Sequence, residues 1–169
     1  MALPDAIHHQ DRLLTLNTNE LPILKDSLLP GVDIQPLFLD PENGIWVLRA
    51  IFAPGVVLPN HFHTGTVHAF TLSGKWYYTQ YPDQPQTAGC YLYEPGGSIH
   101  QFRTPPDNTE PTEAVFVVTG ANVNFDENDN YHSMLDAGSI MQMVAALAEA
   151  QGHGKARYIT PAGADYTVK

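Results

Sequence analysis

Residues 55–70 read GVVLPNHFHTGTVHAF and place His61, His63 and His68 in one short segment. On an extended strand, residues i and i+2 point to the same face. His61 and His63 then project together, and Phe62 points away. Two neutral imidazoles a few ångströms apart can form half of a site for a divalent first-row metal. An H-x-H pair also occurs on solvated strand edges, so the surrounding sequence must decide whether these rings are ligands.

Outward from this segment, the chain alternates short apolar runs with turn residues. Strands are expected at 32–39, 44–52, 67–72, 75–81, 89–94, 100–104, 113–119 and 121–125. Fourteen prolines and thirteen glycines punctuate them. DPENG (40–44) reads as a tight turn, with Asn43 and Gly44 tolerating positive φ. Near the C-terminus the period changes. Ile140, Met143, Val144 and Leu147 fall at helical spacing, with Ser139 as a candidate cap and Gly152 or Gly154 as a stop. The N-terminal thirty residues look irregular, with an arm-like strand around RLLTLN (12–17). About eight strands followed by one helix predict an all-β barrel or jelly roll with a C-terminal helix. The expected divisions are an arm over 1–30, a barrel over 31–128, and a helix and tail over 129–169.

The chain has 169 residues, enough for one domain with a real core. Its formal net charge is −10, with only eight Lys and Arg, so nucleic acid and anionic membranes are disfavoured partners. No run approaches the roughly 18–20 apolar residues of a membrane span, and the N-terminus lacks the pattern of a signal peptide. Cys90 is the only cysteine. No intrachain disulfide is possible, and a reducing, cytoplasmic setting is expected. Charged residues are only 15% of the chain, which suits either a surface partly buried in an oligomer or one solvated by Thr, Asn and Gln.

A second segment, GCYLYEPGGSIH (89–100), completes the pattern. Five residues separate Gly55 from His61-x-His63, and the strand after it ends at Gly74. Five residues also separate Gly89 from Pro95-Gly96-Gly97, and two more lead to His100. This resembles the two motifs of the cupin superfamily, G-x5-H-x-H-x3-4-E-x6-G and G-x5-P-x-G-x2-H-x3-N. The resemblance implies a double-stranded β-helix in which His100 stands opposite His61 and His63, all three being metal ligands. Thr104 replaces the final Asn. The first motif's glutamate falls at Val67, which cannot bind a metal, and His68 lies one position later. Either a one-residue bulge turns His68 inward, as a ligand or a partner of one, or His68 faces the opposite side and is structural.

The flanks, over about residues 30–128, look like the branch holding 2,4'-dihydroxyacetophenone dioxygenase, with acetylacetone dioxygenase and ChrR-type anti-sigma cupins as further relatives. That resemblance implies iron(II) on three histidines and cleavage of a carbon–carbon bond beside a ketone, with O2 and a small hydroxyketone or diketone as substrates. Zinc, nickel or manganese would also accept three imidazoles. His68 and Glu94 are the candidate catalytic residues; Glu94 is alternatively a surface carboxylate or the partner of Arg103. Phe70, Trp76, Tyr77 and Tyr78 are candidates for an aromatic pocket wall or for core packing. Tyr91-Leu92-Tyr93-Glu94 alternates, so only one pair can face inward. A homodimer or homotetramer is expected from the resemblance. The competing readings are a zinc-holding sensor domain without catalysis and a metal-dependent isomerase or lyase on the same scaffold.

Overall fold

The computed structural model describes residues 13–161 and 165–168. The strands are β1 (Val32–Asp40), β2 (Ile45–Phe52), β3 (His61–His63), β4 (Val67–Ser73), β5 (Lys75–Tyr78), β6 (Gln86–Thr87) and β7 (Tyr91–Glu94). They continue with β8 (Phe102–Arg103), β9 (Thr112–Thr119), β10 (Asn122–Phe125), β11 (Tyr131–Leu135), β12 (Ile159–Thr160) and β13 (Asp165–Tyr166). One helix, α1 (Ala137–Ala150), lies between β11 and β12. No helix among the described residues is long and apolar enough to cross a membrane.

Among the described residues the strands form three sheets rather than one closed barrel. The large sheet runs β13-β12-β1-β2-β9-β4-β7, and two small ones run β11-β10-β3 and β6-β5-β8. Alternation decides what lies between them. In β2, Trp46, Leu48, Ala50 and Phe52 are buried while their neighbours are less so. In β9 and β4, Ala114, Val118, Val67 and Ala69 face the same interior. The small sheets pack against this face through aromatic rings. Phe52 meets Phe102 at 4.3 Å between centroids, and Trp76 stacks on Phe102 at 4.8 Å. The result is a jelly-roll sandwich with one helix, as the strand count predicted.

A close backbone approach locks β10 beside β3. Gly120 has φ +85°, and a Cβ there would meet Thr64 Oγ1 at 2.3 Å. Glycine is therefore required on both conformational and steric grounds. Thr64 Oγ1 accepts a hydrogen bond from the Ala121 amide at 2.9 Å, and the Trp46 indole donates to the Gly120 carbonyl at 3.0 Å. These contacts fix the register Asn122↔His63 and Asn124↔His61.

Several expectations are corrected. Asp136, not Ser139, caps α1. The Asp136 carboxylate accepts from the Ser139 amide at 2.7 Å, while the Ser139 hydroxyl accepts from the Asp136 amide at 2.8 Å. This is a reciprocal capping box, so Ser139 occupies its inner position. Gly152, with φ +75°, ends the helix. In the 40–44 turn only Gly44 has positive φ; Asn43 instead donates twice to the Asp40 carboxylate. Residues 13–17 form no strand, although Leu21 and Leu24 behind them are buried and Leu24 bridges to Ile34. β11, which contains His132, lies outside the expected strands. His8 and His9 fall outside the described residues.

Candidate metal centre

His61 and His63 occupy the two ends of β3 and are both buried. His100 reaches them through backbone pairing. The His61 amide donates to the His100 carbonyl at 3.0 Å, and the His100 amide donates to the His61 carbonyl at 2.9 Å. Directly paired antiparallel residues point to one side. The imidazoles therefore converge, with centroids 4.5 Å apart for His61–His100, 5.3 Å for His61–His63 and 5.6 Å for His63–His100. One ligand atom from each ring lies within 4.8 Å of the others. The turn Pro95-Gly96-Gly97 makes this crossing possible: Gly97 has φ +82°, and its amide donates to the His63 carbonyl at 2.8 Å.

The ring nitrogens fit a metal. His61 Nδ1–H donates to the Pro59 carbonyl at 2.8 Å, which leaves Nε2 as the lone-pair donor. The Ser98 carbonyl holds His100 in the same way. Buried and without a hydrogen-bond partner in the protein are His63 Nδ1, His100 Nε2 and Glu94 Oε2. Burial lowers the pKa of all three histidines. His63 and His100 are each brought down to about 3, first by desolvation and then by neighbouring rings. Neutral imidazoles with unused lone pairs are the form that binds a divalent cation. Buried orphan nitrogens are costly unless something occupies the space between them.

Glu94 completes the cluster from β7. Its Oε2 stands 3.2 Å from His100 Nε2 and 3.5 Å from His63 Nε2, without hydrogen-bond alignment. Its Oε1 accepts a hydrogen bond from the Tyr78 hydroxyl. Burial pushes its pKa up to about 7, against the Tyr78 hydrogen bond, which pulls it down. Glu94 thus sits beside the histidines, not on Arg103 or the outer surface. Its cross-strand partner is Val67, the position at which the first motif lacks its glutamate. A carboxylate absent from β4 is supplied by β7 directly opposite.

His68 is the correction. The pairing of β4 with β7 and β9 runs without a bulge from Val67 to Thr71. Val67 faces inward, so His68 faces out. There its Nδ1 lies 2.7 Å from the Tyr91 hydroxyl, and its ring packs against Tyr91 and Tyr93. It reaches neither the histidine cluster nor the cavity, and the catalytic role expected for it has no geometric basis.

His61, His63 and Glu94 lie on the wall of a cavity of about 400 Å³. Its other walls are largely apolar: Trp46, Leu48, Phe52, Phe102, Phe116 and Met143 among them. Of the expected aromatic wall, Tyr78 lines the cavity, Trp76 is fully buried behind it, and Phe70 lies on the outer face. Sequence reasoning missed Asn122 and Asn124, which also line the cavity. Their signal is in ANVNF, where polar residues recur at period two beside the histidine strand.

Comparison with known proteins agrees with this geometry. Residues 12–123 match the family model described as the ChrR Cupin-like domain. Among curated proteins none matches the sequence. A crystal structure of a protein of unknown function with a cupin-like fold from Ralstonia eutropha JMP134 is 55% identical, with a TM-score of 0.84, covering 91% of this chain and 95% of that one. An acetylacetone dioxygenase from Acinetobacter johnsonii shares the fold at 17% identity and a TM-score of 0.67, over 85% of this chain and 97% of that one. A putative acetylacetone dioxygenase from Methylibium petroleiphilum PM1 does so at 15% identity and 0.69, over 80% and 96%. With its two histidine motifs folded onto one site and more than half its length matched by the family model, the chain belongs to the cupin superfamily, within the family of ChrR cupin-like domains.

Proposed function

We propose that this cupin is a non-haem iron(II) dioxygenase that cleaves a carbon–carbon bond next to a ketone in a small hydroxyketone or diketone. The observation that carries the reading is the convergence of three neutral, buried histidines, two of them on the wall of a mostly apolar cavity large enough for such a molecule. His61, His63 and His100 would hold the metal. Three protein ligands leave coordination positions open, as a catalytic centre requires and a closed structural zinc site does not. When bound, a divalent ion supplies two-point attachment for adjacent substrate oxygens and positive charge that favours the enolate.

The chain's own residues account for the remaining requirements. The apolar walls exclude water from the reacting carbon. Glu94, with a pKa near neutrality and its Oε1 anchored by Tyr78, is placed to take the proton lost when the substrate enolises. For a hydroxyketone R–CO–CH2OH, reaction with O2 gives R–COOH and HCOOH. Both oxygen atoms enter the products, so no external reductant is consumed.

A second reading is favoured by the family model's description as a ChrR cupin-like domain: a zinc-holding sensor module without turnover. Purification without oxygen, metal analysis and oxygen-uptake assays with 1,2- and 1,3-oxygenated ketones separate the two. Bound iron with O2 consumption supports the dioxygenase. Tightly held zinc with no O2 uptake across the ketones overturns it.

A further inference from the structure

One part of the cavity wall carries a polar chain that metal binding does not require. Asn122 and Asn124 stand across from His63 and His61, and on the far side Asn124 pairs with Ser133 of β11. Paired residues share a face, so Ser133, Asn124 and His61 form one row and Leu135, Asn122 and His63 the next. The polar groups are linked in order. Asn122 Nδ2 donates to Asn124 Oδ1 at 2.8 Å, and Asn124 Nδ2 donates to Ser133 Oγ at 3.1 Å. The Ser133 hydroxyl in turn lies 3.0 Å from His132 Nδ1.

This relay uses an N–H of each amide to orient the two side chains and leaves one acceptor over. Asn122 Oδ1 is buried and has no partner in the protein, although Asn122 is 91% buried and lines the cavity. A buried amide oxygen left unpaired is destabilising. The position beside a candidate metal ligand gives it a use. Among the described residues the cavity wall contains no Lys or Arg, so no side-chain cation there is set to pair with a charged group on the part of a ligand that lies away from the metal. An uncharged molecule with a hydrogen-bond donor fits this combination.

We propose that Asn122 is a specificity residue that recognises a hydroxyl group on an uncharged substrate, its amide oriented by Asn124 and Ser133. The inference rests on reading the cavity as the substrate pocket of a metal centre. The hydroxyl donates to Asn122 Oδ1 while the apolar walls take the rest of the molecule. A methyl ether at the same place presents no donor and leaves the acceptor unpaired. Sites built around such a hydrogen bond discriminate strongly against analogues that lack it.

The test is calorimetric binding to the metal-loaded protein without oxygen, so it does not depend on turnover. The probes are 2-hydroxyacetophenone and 2-methoxyacetophenone, which share the ring and ketone and differ in the donor. The wild-type protein should prefer the hydroxyl probe by about tenfold, the equivalent of one hydrogen bond. In Asn122→Leu the preference should collapse to about twofold or less, with metal content unchanged. Ser133→Ala, which cuts the relay but keeps Asn122, should weaken the preference part way and covers the case in which Asn122→Leu does not fold. A full preference retained in both variants overturns the proposal. Loss of metal from folded Asn122→Leu overturns it as well, because Asn122 would then serve the metal. Failure of both probes to bind the wild-type protein also overturns it. Absence of O2 uptake alongside an intact hydroxyl preference would instead overturn the dioxygenase reading and leave this one standing.

Discussion

The two faces of the β4–β7 ladder carry residues of similar chemical type and opposite fates. Inward stand Val67, Ala69, Leu92 and Glu94; outward stand His68, Phe70, Tyr91 and Tyr93. Both faces hold a titratable group among apolar neighbours. Inside, Glu94 is buried, its pKa is driven toward neutrality, and it touches two histidines. Outside, Tyr91 and Tyr93 are 54% and 53% exposed, and His68 packs among them. Environment, not residue type, separates the chemical face from the structural one. On the inner face, burial raises the Glu94 pKa, and the Tyr78 hydrogen bond partly opposes it.

Substitutions on the two faces should therefore differ steeply. The largest effect is expected from Val67→Asp, which buries a second carboxylate opposite Glu94. It should cost about 3–5 kcal/mol of unfolding free energy, measured by denaturant titration. A cost below about 1 kcal/mol would show that this face is not sealed. Next is Glu94→Gln, which keeps the shape and removes the proposed base. Turnover should fall by about 10²-fold or more while metal stays bound, read from oxygen uptake and metal analysis on one preparation. Unchanged turnover would remove Glu94 from the proton transfer. A combined Val67→Glu and Glu94→Val exchange sharpens the point. It moves the carboxylate across the ladder without changing how many the interior holds, so metal content should survive. The smallest effect is expected from His68→Ala. Metal content should not change, and stability should shift by about 0.5 kcal/mol or less, since only a surface contact with Tyr91 is lost.

The same ladder shows what could be read from the sequence. Period-two alternation in β1, β2, β4 and β9 is enough to place those strands, because each has a buried face. The spacing of glycines, proline and histidines is enough to bring His100 to His61 and His63. The facing of Glu94 could not be read, because both phases of Tyr91-Leu92-Tyr93-Glu94 carry large apolar groups. Register with Val67 settles it, and register is a long-range property. His68 was ambiguous for the same reason: a single bulge would have reversed it, and the bulge in β4 falls later, between Thr71 and Ser73. β11 was missed because Tyr131, His132 and Met134 are exposed and give no alternation; it is a strand through its pairing with β10. Asn122 and Asn124 read in the sequence as ordinary polar residues in a short run, since their importance depends on lying across from two histidines.

In the proposed centre His61, His63 and His100 together hold one metal ion. Elemental analysis of the wild-type protein beside His100→Ala, both purified without oxygen and checked for folding by circular dichroism, tests it most directly. The wild-type chain should carry about one divalent metal, and the folded variant should carry almost none. Full metal occupancy in folded His100→Ala would contradict the assignment.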